Sequence, residues 1–185
     1  NYRSIFGYSV CGIGVYALIY LYTTITVTGT NVILSNATGI PPEQLLIMYY
    51  ITFFSSIFLT GIRAKMVDSA KNRKGKYRPY VLSMGIPTAV IAVLIVWMPY
   101  DKITSYALKW VIVFVLNLAL QFTYGFLYDA YENLIFVMSP NTQERSNVLS
   151  VKSVVYSFAP TVLNPLIPLL QKLLNTDDMY DISIY

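Results

Sequence analysis

Five apolar runs, each long enough to cross a lipid bilayer, decide what this chain can fold into. They cover residues 5–27, 45–62, 81–99, 108–138 and 148–174. A hydrocarbon core about 30 Å thick takes about 20 apolar residues to cross as a helix. Lipid offers no partner to backbone N–H and C=O groups, so the crossing form is a helix, and the period-two alternation of a membrane barrel is missing. The fold class expected is all-α: a polytopic transmembrane bundle of about five helices, with residues 1–185 forming a single membrane domain. Composition agrees, since hydrophobic residues make up 56% of the 185 positions and charged ones 12%, where a soluble domain carries about a quarter charged.

The same composition excludes whole classes of chemistry. Histidine is absent and cysteine occurs once, at Cys11. Ser-His-Asp and Cys-His catalysis, zinc clusters, His-based switching and internal disulfides are therefore ruled out. No cofactor is expected, and an enzyme ranks last among the functional classes. The net charge of +4 has a topological meaning rather than a nucleic-acid one. Ten of the thirteen Lys and Arg fall on one side of the predicted crossings: Arg3; Arg63, Lys65, Lys71, Arg73, Lys74, Lys76 and Arg78; Arg145 and Lys152. By the positive-inside rule that side is cytoplasmic. The N-terminus is then inside, as in an integral protein of the plasma (inner) membrane.

Local signals mark the helix ends. Pro41-Pro42-Glu43 and Arg78-Pro79-Tyr80 place fixed φ angles where a second and a third helix begin. Prolines 160, 165 and 168 predict a kinked or broken fifth helix. The fourth run exceeds about 20 residues and predicts tilt, or turns beyond the hydrocarbon. Gly7, Gly12 and Gly14 suit close helix packing. Tyr100 and Tyr106 suit an interfacial belt. The sequon Asn36-Ala37-Thr38 is short enough to be a chance match.

Two loops carry a family resemblance. Val67-Asp68-Ser69-Ala70-Lys71-Asn72-Arg73-Lys74-Gly75-Lys76-Tyr77-Arg78-Pro79-Tyr80 resembles the loop between the second and third helices of melibiose-permease-like carriers, where an Asp and a basic stretch precede Gly-Lys/Arg-x-Arg-Pro-Tyr/Trp. Thr142-Gln143-Glu144-Arg145 is similar to their Thr-x-Asp-x-x-Glu-Arg segment after the fourth helix. These carriers are the glycoside-pentoside-hexuronide:cation symporters of the major facilitator superfamily. The resemblance implies that the chain is most of an N-terminal six-helix half, whose partners are the bilayer, a small polar solute and a C-terminal half. It also implies a gating latch of Asp68, Arg73, Arg78, Glu144 and Arg145; the alternative is that the basic cluster only sets topology and meets lipid headgroups.

Acids inside the fourth run are the other pointer to a site. Tyr124, Tyr128, Asp129, Tyr131, Glu132 and Asn133 lie within one short stretch. A carboxylate at mid-helix costs about 2.5–3.5 kcal/mol on insertion scales, so these acids are expected to face a polar interior. Lys152 and Arg145 are the nearest cations by topology. A static ion pair near the cytoplasmic end is the competing reading. Tyr16 and Tyr20 recur near helical spacing on the first run with Tyr8, while Tyr22 falls on another side. Aromatic faces with hydroxyls suit sugar rings. The residues expected to bind solute are thus Tyr124, Tyr128, Glu132, Lys152, Tyr16 and Tyr20, and those expected to carry a coupling ion or proton are Asp129 and Glu132.

The chain departs from the family pattern at its charged ligands. The two acidic sodium positions of the second helix fall on Ser56 and Thr60, and the sugar-binding Asp and Trp of the fourth on Tyr128 and Glu132. The fifth-helix Arg falls on Ser153, and a first-helix Asp on Gly14. Of H+ and Na+ coupling, this favours protons moving through Glu132 or Asp129; a changed substrate and uncoupled exchange also fit. The function expected is secondary active transport of a small polar solute, a sugar or glycoside, by alternating access. The second class is a non-transporting scaffold or accessory subunit derived from a half-carrier.

Overall fold

A computed structural model describes residues 2–23, 33–69, 77–139 and 141–174. These form α1 (Tyr2–Thr23), α2 (Ile33–Thr38), α3 (Pro42–Ser69), α4 (Arg78–Trp97), a 3-10 turn (Tyr100–Lys102), α5 (Tyr106–Met138) and α6 (Thr142–Leu174). No strand occurs among the described residues. The five long helices match the five apolar runs, and α2 was not expected. Pro42 opens α3 with Glu43 in its first turn, and Pro79 lies at the start of α4, as the local signals required.

Outward-facing side chains show which solvent the bundle meets. Phe58 is 77% exposed and Trp97 76%, with Ile86 and Leu82 close behind. Three helical stretches, Pro42–Ser69, Pro79–Trp97 and Tyr106–Met138, are long and apolar enough to cross a membrane. Among the described residues, α1 contributes the apolar stretch Phe6–Tyr20. The fifth run forms a helix of 33 residues, α6 (Thr142–Leu174). The helix is unbroken at prolines 160, 165 and 168, so of the expected kink or break the break does not occur. Helices α1 and α6 pack against each other.

The most extensive pairing joins α4 to α5, while α3 and α1 lean on α5 from other sides. The core has two parts. Tyr8, Tyr16, Val81, Leu127, Tyr131, Ile135 and Val148 fill the end nearer the basic loop. Leu34, Leu45, Met48, Ile95, Tyr100, Val113 and Leu120 fill the far end.

At the far end α2 closes with Gly39 at φ 71°, its N–H reaching the Ser35 carbonyl at 2.8 Å. Lys109 Nζ donates to the Thr38 carbonyl at 3.4 Å, a cation on a helix C-terminus. The hydroxyl of Thr38 in the sequon is buried and donates to the Leu34 carbonyl. Tyr100 is not a belt residue: it is 3% exposed and donates to the Ile95 carbonyl at 2.8 Å. Tyr106 is exposed and bonds Gln44.

Of the three first-helix glycines, one mediates close packing. A Cβ on Gly12 would run into the Tyr131 hydroxyl, whereas Gly7 and Gly14 have open space.

Candidate functional site

Helix α5 brings its two acids to different neighbours. Glu132 Oε2 meets Lys152 Nζ of α6 in a direct ion pair, and the Tyr16 hydroxyl of α1 donates to Glu132 Oε1 at 3.4 Å. The Lys152 and Glu132 side chains are 13% and 29% exposed, so one carboxylate ties three helices together at a half-buried point. Lys152, expected as the partner of these acids, is the partner of Glu132.

Aromatic rings surround that point. Tyr16 packs edge-on against Tyr156 with centroids 4.8 Å apart and against Tyr131 at 5.8 Å. Tyr124 stacks on Tyr128 at 5.9 Å and on Tyr22 at 4.2 Å. Tyr22 packs with the far-end core rather than with Tyr8 and Tyr16, in keeping with its expected placement on another side. Tyr20 donates to Asn164 Oδ1. All six residues expected to bind solute thus fall on α1, α5 and α6, along a face where Tyr128, Tyr156 and Ser153 are exposed. The arrangement offers stacking planes, hydroxyls, one cation and one carboxylate, the groups that bind a polyhydroxylated ring.

Asp129 has a different cation from the expected Lys152 or Arg145. Arg63 of α3, counted above among the loop cations, is 7% exposed, and its Nε donates to Asp129 Oδ2 at 3.2 Å. Its Nη2 donates to Thr60 Oγ at 2.9 Å. Room for the guanidinium exists because residue 125 is glycine: a Cβ there would overlap Arg63 Cζ and Nη1. Removing Arg63 from the basic loop leaves nine cations against three, so the sidedness argument survives.

Of the residues expected to gate, Glu144 and Arg145 lie at the turn from α5 into α6. Ser139 Oγ donates to Glu144 Oε2 at 2.6 Å, Arg145 Nε donates to the Ser139 carbonyl at 2.7 Å, and Asn141 Oδ1 accepts from Gln143 N–H at 2.9 Å. Arg145 also lies over the Phe136 ring. Glu144 and Arg145 brace the turn from α5 into α6. Asp68, exposed near the end of α3, lines a crevice with Arg63 and Asp129. Arg73 lies outside the described residues, as does the side chain of Arg78. A larger cavity of about 570 Å³ opens between α1, α4, α5 and α6, bordered by Cys11, Tyr131, Glu144 and Arg145. The Glu132 cluster lies outside both spaces.

The amino-acid sequence matches a family model described as MFS/sugar transport protein over residues 5–182. The chain belongs to that family. As a member of the MFS/sugar transport family it is an integral membrane protein, and the family is one of transporters rather than enzymes. It is similar to the glucuronide carrier protein homolog of Escherichia coli (strain K12), with 25% identity over 165 residues, covering 85% of this chain and 33% of that relative. The chain thus spans about a third of the relative's length. No solved structure matches it. The resemblance read from the two loops is in keeping with both matches.

Sequence reasoning missed Arg63, Gly125, Tyr156 and Asn164. Arg63 had one signal: it follows Thr60 by three residues, within helical reach, at the margin of an apolar run. Gly125 lies one turn before Asp129, a small residue where a bulky partner must fit.

Proposed function

We propose that this chain is the solute-binding part of a secondary active transporter for a sugar or glycoside, working by alternating access against a second helical half. A small polar solute docks on the α1–α5–α6 face, between the rings of Tyr16, Tyr20, Tyr124 and Tyr128 and the Glu132–Lys152 pair. The observation that carries this reading is that pair itself. It joins α5 to α6 with the Tyr16 hydroxyl alongside.

Lys152 and Glu132 exchange partners during the cycle. A solute oxygen takes the ammonium, and the released carboxylate accepts a proton, which couples uptake to H+ rather than Na+. Asp129 holds the neighbouring helix. The basic loop faces the cytoplasm, the N-terminus lies inside, and the plasma (inner) membrane is the site of action. The relative named as a glucuronide carrier homolog supports glucuronides as the first solutes to try.

The test is counterflow and proton-driven uptake of a radiolabelled aryl glucuronide by the full-length protein in proteoliposomes. Wild type accumulates it under an inward proton gradient, whereas Glu132→Gln retains counterflow and loses accumulation. Gradient-driven accumulation by Glu132→Gln at the wild-type level removes Glu132 from coupling. Absence of any saturable flux, for the glucuronide and for matched neutral glycosides alike, overturns the carrier reading.

A further inference from the structure

The crevice between α3 and α5 encloses about 260 Å³ and is lined by oxygen-bearing Thr60, Asp68, Asp129 and Asn133. Carboxylate, hydroxyl and amide oxygens in one small space are the ligands that hard metal cations take. Here the positive charge comes from the chain. Arg63 puts Nε on Asp129 Oδ2 at 3.2 Å and Nη2 on Thr60 Oγ at 2.9 Å.

Three features make this a fitted socket rather than a passing surface contact. The Arg63 side chain is 9% exposed, while that of Asp129 is 44% exposed, so the cation is sealed behind an anion that remains open to the crevice. The guanidinium occupies the space left by the missing Cβ of Gly125. Nη1 is buried with no hydrogen-bond partner. A buried cation with an orphaned N–H is not what fold stability alone selects. A guanidinium also keeps its charge throughout the physiological range and, being tethered, cannot leave.

We propose that Arg63 is the resident cation of this crevice, a covalent stand-in that keeps mobile metal cations off Asp129. On the carrier reading above, the α3–α5 crevice then neither loads nor releases an ion as solute moves. Coupling falls to the Glu132, Lys152 and Tyr16 cluster, where α5 meets α1 and α6. Arg63 acts as a specificity-determining residue for the driving ion without touching the solute.

The test needs no solute, so its failure is separable from failure of the carrier reading. Thermal unfolding of the full-length protein in lipid nanodiscs is followed by tryptophan fluorescence in NaCl, LiCl and choline chloride at equal ionic strength. Wild type and Arg63→Lys are expected to melt at the same temperature in all three salts. Arg63→Ala and Arg63→Gln, which empty the socket, are expected to gain stabilisation by Na+ or Li+ that Asp129→Asn in the same background removes. Variants that fold and stay indifferent to salt identity overturn the proposal. So does a wild-type Na+ stabilisation abolished by Asp129→Asn, and this comparison decides the matter even where the Arg63 variants do not fold.

Discussion

Tyr8 and Tyr131 hold each other by exchange: each hydroxyl donates to the other's main-chain carbonyl, at 3.3 and 3.4 Å, with the rings stacked 4.6 Å apart and 5° from parallel. Two side chains thereby reach across α1 and α5 to satisfy carbonyls that are otherwise committed to their own helices. The exchange requires the helices to be close, and Gly12 permits this by offering no Cβ where the Tyr131 hydroxyl sits.

Tyr131→Phe loses one of these hydrogen bonds and costs about 1 kcal/mol. Tyr131→Ala also leaves a cavity and costs about 3–5 kcal/mol. Gly12→Ala pushes on a ring that is 1% exposed and costs about 1–3 kcal/mol, whereas Gly14→Ala meets open space and leaves stability nearly unchanged. Denaturant unfolding in detergent micelles gives the order; equal cost at Gly12 and Gly14 contradicts the packing.

The second prediction concerns the Arg63 socket. Gly125→Ala drives a methyl into the guanidinium and displaces it from Asp129, at a cost of about 1–3 kcal/mol. In an Arg63→Ala background that methyl meets vacated space, so the same change costs little. A double-mutant cycle reads the difference as coupling; additive effects mean that Gly125 serves some other neighbour.

What the chain made readable in advance follows from the range of the forces involved. Apolar length is a local property, and it gave five helices. Pairing is not local. Asp129 and Glu132 stand three residues apart, and nothing in their own run says that one turns to α3 and the other to α6. Arg63 sat among loop cations because the apolar run ends at Ile62, yet helix α3 continues to Ser69 and carries that side chain inward. Tyr100 resembled a belt residue because it follows Trp97-Met98-Pro99; the 3-10 turn folds it into the core instead. The prolines of α6 left a kink and a break open because sequence cannot show which carbonyls find other partners.

Tyr100 supports a pH prediction. Burial pushes its phenol up to about 12, while an unfolded chain ionises near 10. The folded state therefore holds this proton more tightly, so its contribution is fully present below about pH 10 and is lost as pH rises through about 12. Wild type is expected to lose at most about 2 kcal/mol to this group over that window. Tyr100→Phe removes that part of the alkaline loss while costing stability at neutral pH through the bond to Ile95. Parallel alkaline slopes for the two proteins overturn the assignment.

Orientation is open to direct labelling once Cys11, the one cysteine of residues 1–185, and any cysteine elsewhere in the full-length protein are replaced by serine. Reintroduced cysteines at Lys102, in the 3-10 turn, and at Asn147, on the first turns of α6, lie at opposite ends of the bundle. With the basic end in the cytoplasm, a membrane-impermeant maleimide added to intact cells labels the Lys102 position and spares the Asn147 position until the membrane is permeabilised. The reverse pattern inverts the topology.

The last prediction separates a strong ion pair from a mere neighbourhood at the proposed solute site. Glu132 and Lys152 are both more than two-thirds buried, so removing one charge leaves the other desolvated without its ion-pair partner. Lys152→Gln and Glu132→Gln are each expected to destabilise more than the pair together, with a coupling of about 1–3 kcal/mol. Solute binding reads the same pair in the opposite sense. If a solute oxygen replaces Glu132 on the ammonium, a saturating aryl glucuronide shrinks the coupling measured in its absence. Coupling that solute leaves unchanged makes the pair a fixed strut between α5 and α6, and the solute must then be held by the rings alone.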